Sequence, residues 1–375
     1  MTMTKNNRLD RRLRQIPAEI WSKITKIDEL KGQWVAGARL SPQILSRLKR
    51  SVLITSTGAS TRIEGAKLSD EDVEKLMRGI DIQKFADRDK QEAKGYFELL
   101  ENVFDSCLSA KASASAEKSL KFSENTIKHF HKELLKYVKK DELHRGDYKK
   151  EDNKVHMINA AGESVGVLFD TTPAYLTPKE MQELVEWTGR TLAEKKYHPF
   201  LIVANFLVEF LQIHPFKDGN GRLSRVLTNL LLLKEGYEYM PYISHEKLVE
   251  DNKPEYYVAL RKSQKTFLPA GASAKEGKTK RENIIPWLDF FLTIFLKQSE
   301  MAIDLLSKEN IERLLTQKQL AVWDYLQKAD RATPREISEK TKVAYPTVRQ
   351  ALDKLLRLKK IERIGQGRST SYRKL

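Results

Sequence analysis

His214-Pro215-Phe216-Lys217-Asp218-Gly219-Asn220-Gly221-Arg222-Leu223-Ser224-Arg225 is the stretch on which the fold turns. It lies between two strongly apolar segments. Upstream, Phe200 to Ile213 is interrupted only by polar Asn205, Glu209 and Gln212. It is too short for a membrane span and reads as a buried helix that delivers His214 to its end. Downstream, Leu223 to Leu233 contains no Gly or Pro and is rich in Leu, so it too reads as a buried helix. A charged, glycine-containing turn between two core helices predicts a mainly α fold with a polar site at its centre.

The turn has the parts of a phosphate site. Gly219 and Gly221 allow backbone angles that side chains forbid, so Gly-Asn-Gly can aim successive N–H groups inward as an anion nest. A turn feeding a helix N-terminus is a ready phosphate site. Arg222 and Arg225 are three apart and share a face of the first turn. Cations there oppose the helix dipole, which points to an anion nearby. Asp218 is an oxygen ligand suited to Mg²⁺, which commonly takes one or two carboxylates together with substrate phosphates. His214 is the group with an ordinary pKa near neutrality and so the natural general base. Together they make a positioned phosphoryl-transfer site.

The stretch resembles, position by position, the signature His-x-Phe-x-Asp/Glu-Gly-Asn-Gly-Arg-x-x-Arg of the Fic (filamentation induced by cAMP) family. The resemblance implies a helical Fic-type domain that moves AMP from ATP to a Ser, Thr or Tyr hydroxyl of a protein. His214 would deprotonate that hydroxyl, and Asp218 would hold Mg²⁺ against the α- and β-phosphates. Phe216, Gly219, Asn220, Gly221, Arg222 and Arg225 would be the nucleotide-binding set, the two arginines taking the outer phosphates. Pyrophosphate would leave. A related branch that phosphorylates its target has Lys where this chain has Gly219, so the chain resembles the nucleotide-transferring kind.

Upstream, Ser60-Thr61-Arg62-Ile63-Glu64-Gly65 resembles the family's inhibitory motif Ser/Thr-x-x-x-Glu-Gly/Asn. Ser41-Pro42 is a helix start and Gly65 a stop, which leaves Glu64 at the C-terminal end of a helix, a poor place for a lone carboxylate. The resemblance implies that Ser60 and Glu64 belong to an inhibitory helix around residues 42–65. Glu64 would pair with Arg225 and deny it to the γ-phosphate, through a contact that is often bidentate. In some relatives the same glutamate serves removal of AMP, and that direction stays open.

Lys154 to Phe169 holds two short β-prone runs around Ala160-Ala161-Gly162-Glu163 and reads as a hairpin. It resembles the family's flap, which pairs with a target segment by strand addition, and Gly146-Asp147-Tyr148-Lys149 resembles its lead-in. Tyr256-Tyr257 resembles a stretch near the adenine. Adjacent helical tyrosines cannot both face one site, so one at most is a ligand, and Tyr257 is the candidate.

The chain has 375 residues, enough for two domains. Its single cysteine, Cys107, excludes a disulfide framework and fits a reducing cytoplasm. The charged N-terminus lacks the apolar core of a signal peptide, and no membrane partner is expected. Net charge is +16. Residues 311–375 carry sixteen Lys and Arg against seven Asp and Glu, so more than half the excess lies in the last sixth of the chain.

That segment shows three helical patterns and two β-prone runs, Ile361–Ile364 and Ser371–Lys374, and resembles a winged helix-turn-helix. Its third helix would enter the major groove of DNA with Tyr345, Thr347, Arg349 and Gln350 exposed near its start, and Arg368 would sit on the wing. A protein-docking module of the same fold is the other option, and a homodimer would match operator symmetry. The expected organisation is a helical segment over 1–40, a Fic domain over 41–300 and the winged unit over 311–375. Ser106–Ser123 and Pro269–Asn283 are expected as loops. Gly271–Thr279 is one residue off a P-loop and lacks a preceding apolar strand. Two function classes stay open, an autoinhibited AMP transferase and a nucleotide-sensing DNA-binding regulator with little chemistry.

Overall fold

The computed structural model describes residues 8–37, 40–79, 87–112, 120–158, 164–264, 282–358, 360–365 and 370–375. The hairpin tip at 159–163, Gly271–Thr279 and Arg368 lie outside these. The chain divides into two compact units, Met1–Ile303 and Asp304–Leu375.

In chain order the first unit contains α1 (Arg8–Arg12), α2 (Ala18–Gly37), α3 (Pro42–Ile63), α4 (Asp70–Met77), α5 (Arg88–Ala112) and α6 (Glu124–Leu134). A hairpin of β1 (Lys154–Ile158) and β2 (Ser164–Asp170) follows. Then come α7 (Thr177–Ala193), α8 (Pro199–Ile213), α9 (Asn220–Lys234), α10 (His245–Asp251), α11 (Lys253–Gln264) and α12 (Ile285–Leu314), which crosses the boundary at Ile303. The fold is mainly α, as the two apolar runs dictate.

Every residue of α8 from Phe200 to Leu211 is buried, as expected for a helix apolar on all sides. α9 packs on it and is buried continuously from Arg222 to Leu233. α3 and α5 pack along α9. These contacts bring the ends of four helices to one place.

The polar residues that interrupt the α8 run hold the N-terminus. Glu209 pairs with Arg12 at 2.7 Å and with Arg8. Asn205 donates to the Leu9 carbonyl at 3.0 Å, and Trp187 donates to Asp10 at 3.0 Å. α2 adds an apolar stripe of Ile20, Ile24, Ile27, Leu30 and Trp34. The N-terminal residues, expected as a segment apart, are thus integral to the first unit.

The loop expected over Ser106–Ser123 is helical as far as Ala112, because α5 runs on. Its Ser, Ala and Lys residues satisfy a helix as readily as a loop, and Ser and Lys carry only small helix penalties. Ser123 caps α6, accepting from the Thr126 N–H at 3.2 Å.

The second unit contains α13 (Gln317–Lys328), α14 (Pro334–Thr341), α15 (Tyr345–Arg357) and the antiparallel strands β3 (Ile361–Ile364) and β4 (Ser371–Lys374). Thr316 with Gln319 and Thr333 with Glu336 form reciprocal capping boxes. Val322, Leu326, Ile337, Val348, Leu352 and Leu355 fill its core. Ala332 bridges Tyr372, which attaches the hairpin to the segment before α14.

Candidate functional site

α8 ends at His214, which caps it in the left-handed conformation (φ 51°, ψ 61°) and donates its N–H to the Phe210 carbonyl at 2.9 Å. Few residues other than glycine adopt that region. The turn closes at Gly219 (φ 79°), the N-cap of α9. Asn220 staples it from inside, its Oδ1 accepting the Phe216 N–H at 3.0 Å and its Nδ2 donating to the Phe216 carbonyl at 2.8 Å. The amide of Asn220 is therefore engaged with the turn itself rather than turned to a phosphate. What remains for an anion is the first turn of α9, whose N–H groups have no helical partner.

Phe216 is fully buried and stacks on His131, with ring centres 3.9 Å apart and planes 9° from parallel. His131 Nε2 reaches the Asp218 carbonyl at 3.0 Å, and its Nδ1 accepts the Gly146 N–H at 2.9 Å. Burial pushes its pKa down to about 4, so it serves as a neutral brace. The sequence reading missed His131. Its signal was weak, one of two histidines on an amphipathic helix.

His214 Nδ1 is buried without a hydrogen-bond partner. Burial, reinforced by the nearby Lys149 cation, pushes its pKa down to about 4. The ring is neutral at pH 7 and able to accept a proton.

Asp218 is surrounded by donors. Its Oδ1 accepts from the Gly219 N–H at 2.6 Å and from Arg222 at 3.2 Å, and its Oδ2 accepts from Arg88 at 2.5 Å. Burial alone would raise its pKa, but Arg222, the Gly219 N–H and Arg88 outweigh that and hold it low. Glu92 and Asp141 bring carboxylate oxygens within 4.8 Å of the Asp218 carboxylate and of each other. Arg88 bonds all three, Glu92 at 2.8 Å and Asp141 at 3.0 Å. These hard oxygen donors fit Mg²⁺. A cation on Asp218 Oδ2 would take the place that the Arg88 guanidinium holds. Arg88, Glu92 and Asp141 lie far upstream of the turn and were not anticipated.

Arg222 and Arg225 share the start of α9 but face different partners. Arg222, 3% exposed, bonds Asp218 and Glu92. Arg225 turns to α3, with Nε on Ser60 Oγ at 2.8 Å and Nη2 on the Ser60 carbonyl at 2.9 Å and on Glu64 Oε1 at 2.6 Å. Glu64 contributes one oxygen rather than the bidentate pair expected, because Ser60 occupies the other side of the guanidinium. Burial opposes the Arg225 charge, yet Glu64 together with Tyr256 and Tyr96 more than offsets it and raises the pKa.

Glu64 is the C-cap of α3. The α3 end is fastened by Arg62, which bonds Glu250 at 2.5 Å, Asp70 at 2.9 Å and the Leu68 carbonyl at 2.7 Å. Its terminal carbonyls accept from Lys253 (to Arg62, 3.2 Å) and from the Tyr257 hydroxyl (to Ile63, 3.3 Å). Tyr257 therefore sits beside the Glu64 end of α3. Tyr256 is buried against Trp287 and Phe290.

The hairpin runs in antiparallel register from Lys154 opposite Asp170 to Ile158 opposite Ser164, with irregularities after Val155 and Met157. In the second unit Tyr345, Arg349 and Gln350 are exposed near the start of α15, whereas Thr347 is half-buried. Position 347 lies one turn before buried Ala351 and shares its side of the helix.

Residues 121–232 match the family model Fic/DOC. The chain is 36% identical over 101 residues to a Fido domain-containing protein of Dictyostelium discoideum, covering 25% of this chain and 64% of that one. It is 27% identical over 154 residues to a probable protein adenylyltransferase of Aquifex aeolicus, covering 40% and 45%. The chain thus spans under two thirds of the length of either relative. Among solved structures, a Fic family protein from Desulfovibrio desulfuricans G20 superposes with a TM-score of 0.58 at 23% identity, over 96% of this chain and 97% of that one. A Fic domain containing signaling protein from Bacteroides thetaiotaomicron gives 0.57 at 23% identity, over 76% and 98%. These likenesses agree on the fold, and residues 121–232 are the part of the chain that is similar to the Fic/DOC family.

Proposed function

We propose that this chain is a protein adenylyltransferase that moves AMP from ATP to a protein hydroxyl and is held in check by Glu64. The observation that carries this reading is the turn that joins two buried helices: His214 caps the end of α8, Gly219 caps the start of α9, Asp218 lies between them, and Arg225 of α9 is held by Glu64 at 2.6 Å. The Aquifex aeolicus relative, named a probable protein adenylyltransferase, supports it.

In this reading the neutral His214 takes the proton of a Ser, Thr or Tyr hydroxyl. The hydroxyl oxygen bonds to the α-phosphorus, the bond to the bridging oxygen of the β-phosphate breaks, and pyrophosphate leaves. Asp218 would hold Mg²⁺, which neutralises phosphate charge. The α9 N-terminus and Arg222 bind the anionic end, and Arg225 receives the γ-phosphate once Glu64 has left it. The 2.6 Å contact from Arg225 to Glu64 is the basis for autoinhibition.

The test is incorporation of label from α-labelled ATP into protein, with γ-labelled ATP as control, comparing the wild type, Glu64→Gly and Glu64→Gly/His214→Ala. Label should rise in Glu64→Gly and vanish in the double variant. Intact ATP binding with no label in any chain would overturn transfer in favour of a nucleotide-sensing regulator. Faster release of AMP from a modified target by wild type than by Glu64→Gly would favour removal as the reaction.

We also propose that residues 311–375 form a winged helix-turn-helix that binds DNA through α15. The basic excess of this segment and the exposed Tyr345, Arg349 and Gln350 support it. If Arg349 contacts phosphate, Arg349→Ala should weaken binding across sequences and flatten its salt dependence by about one unit of slope. An unchanged salt slope would remove Arg349 from the interface.

A further inference from the structure

Lys149 is 7% exposed, an unusual place for an ammonium. Its three donors are all used, on the Ile213 carbonyl at 2.9 Å, Asn153 Oδ1 at 2.8 Å and Thr171 Oγ1 at 2.9 Å. None of these acceptors is a carboxylate, and burial pulls its pKa down to about 8. Its own main-chain N–H donates to the Pro215 carbonyl at 2.8 Å. One residue therefore holds the carbonyls on both sides of His214, the residue in the left-handed conformation.

The same side chain reaches the base of the hairpin. Asn153 precedes β1 and Thr171 follows β2, and Thr171 Oγ1 donates to the Asn153 carbonyl at 2.7 Å. Asn153 Nδ2 also donates to the Phe216 carbonyl at 3.1 Å. The hairpin base and the turn are thus joined at Lys149.

We propose that Lys149 is a positioning residue: by holding the Ile213 and Pro215 carbonyls and the two residues at the hairpin base, it keeps the His214 imidazole and the hairpin in one fixed register. This rests on the transfer reading, in which the base and the segment paired to the hairpin must meet. A purely structural clamp would be met by a neutral donor without burying charge. A cation here also disfavours a protonated His214. The charged groups that act on that ring are Lys149, Glu64 and Asp218.

The experiment uses the full chain carrying Glu64→Gly, with Lys149→Met and Lys149→Arg added singly. Three quantities are read: kcat for AMP incorporation, the ATP dissociation constant, and the His214 titration followed by NMR. Misplacing a reacting group by about an ångström costs up to about a hundredfold in rate. Lys149→Met should therefore lower kcat about tenfold or more, leave ATP affinity within about twofold, and move the His214 midpoint upward. Lys149→Arg should recover part of the rate and hold the His214 midpoint low, because it restores the charge, while its planar guanidinium replaces only some of the three ammonium donors. Full kcat in Lys149→Met, or an unmoved His214 midpoint, would overturn the proposal. So would loss of ATP binding in step with melting temperature, with Arg no better than Met. If the Glu64→Gly parent transfers no AMP, the transfer reading fails, and the NMR midpoint still decides whether Lys149 governs His214.

Discussion

Glu64 occupies the space that Gly221 leaves by having no side chain: a Cβ at position 221 would lie 2.9 Å from Glu64 Cδ and would collide with its carboxylate oxygen. Through that gap the carboxylate reaches Arg225 at 2.6 Å. Gly221 therefore faces the inhibitory contact as well as the start of α9.

Gly221→Ala should consequently change sign with background. In the wild type it forces Glu64 off a buried arginine and should destabilise by about 1–2 kcal/mol, a value below that of a fully buried pair because Glu64 is 35% exposed. In Glu64→Gly the clash is gone, and Ala within a helix should stabilise by about 0.5–1 kcal/mol. Urea unfolding of the four chains measures this. Equal effects in both backgrounds would show that the two residues do not compete for space.

Removing Glu64 should discriminate between nucleotides. Glu64→Gly frees Arg225 for a third phosphate, so ATP affinity should tighten about tenfold, roughly 1.4 kcal/mol. ADP, with no γ-phosphate, should change little. Calorimetric titration of both nucleotides decides it, and equal tightening would remove the γ-phosphate from the explanation.

His214→Ala in the Glu64→Gly chain should abolish transfer with ATP affinity kept within about twofold, since its role is to accept a proton rather than to bind phosphate. The imidazole works while neutral, and its pKa lies at about 4. The transfer rate should stay level through neutral pH and fall only as the pH approaches that value. A fall centred near the ordinary 6.5 would contradict the burial of the ring.

Two buried histidines also predict an acid-side loss of stability. His131 and His214 titrate near 4 in the folded chain, below their ordinary 6.5. As the pH falls, the unfolded chain takes up protons first, so stability is complete above about 6.5 and drains away down to about 4. His131→Asn should flatten that slope of melting temperature against pH. An unchanged slope would mean that His131 takes up a proton without opposition, despite the Gly146 N–H that faces its Nδ1.

The N-terminal helices should prove essential to stability. Arg12→Met leaves Glu209, whose side chain is 2% exposed, short of a partner, and should cost about 3 kcal/mol. Arg12→Met/Glu209→Leu should regain part of it, because the charge stranded at Glu209 is gone while Arg8 and Glu282 each lose one partner. Chemical denaturation of the three chains tests this, and a double variant no better than the single would refute it.

Much of the molecule was legible locally. The apolar runs before and after the turn read as buried helices despite their few polar interruptions, and Ser41 with Pro42 after it marks where α3 starts. The strands at Ile361–Ile364 and Ser371–Lys374 follow from short β-prone runs around a glycine turn. α5 was cut short in the reading because its final turn has no strong apolar period. The N-terminus was opaque for a related reason. The ties of α1 to the fold are charged residues, and a charge declares a buried partner only once that partner is beside it.

The sequence by itself determined the residues of the turn, from His214 to Arg225, and the helical class that surrounds it, because both are local properties of composition and spacing. Tertiary structure alone decided who meets whom: Glu64 with Arg225 across 161 residues, Arg88 with Asp218 across 130, and Lys149 on the carbonyls around His214. Such pairings depend on how α3, α5 and α9 pack, and packing is set by the burial of side chains on every helix at once. The pKa of His214 belongs to the same class, since it is fixed by what encloses the ring and not by its neighbours in the chain.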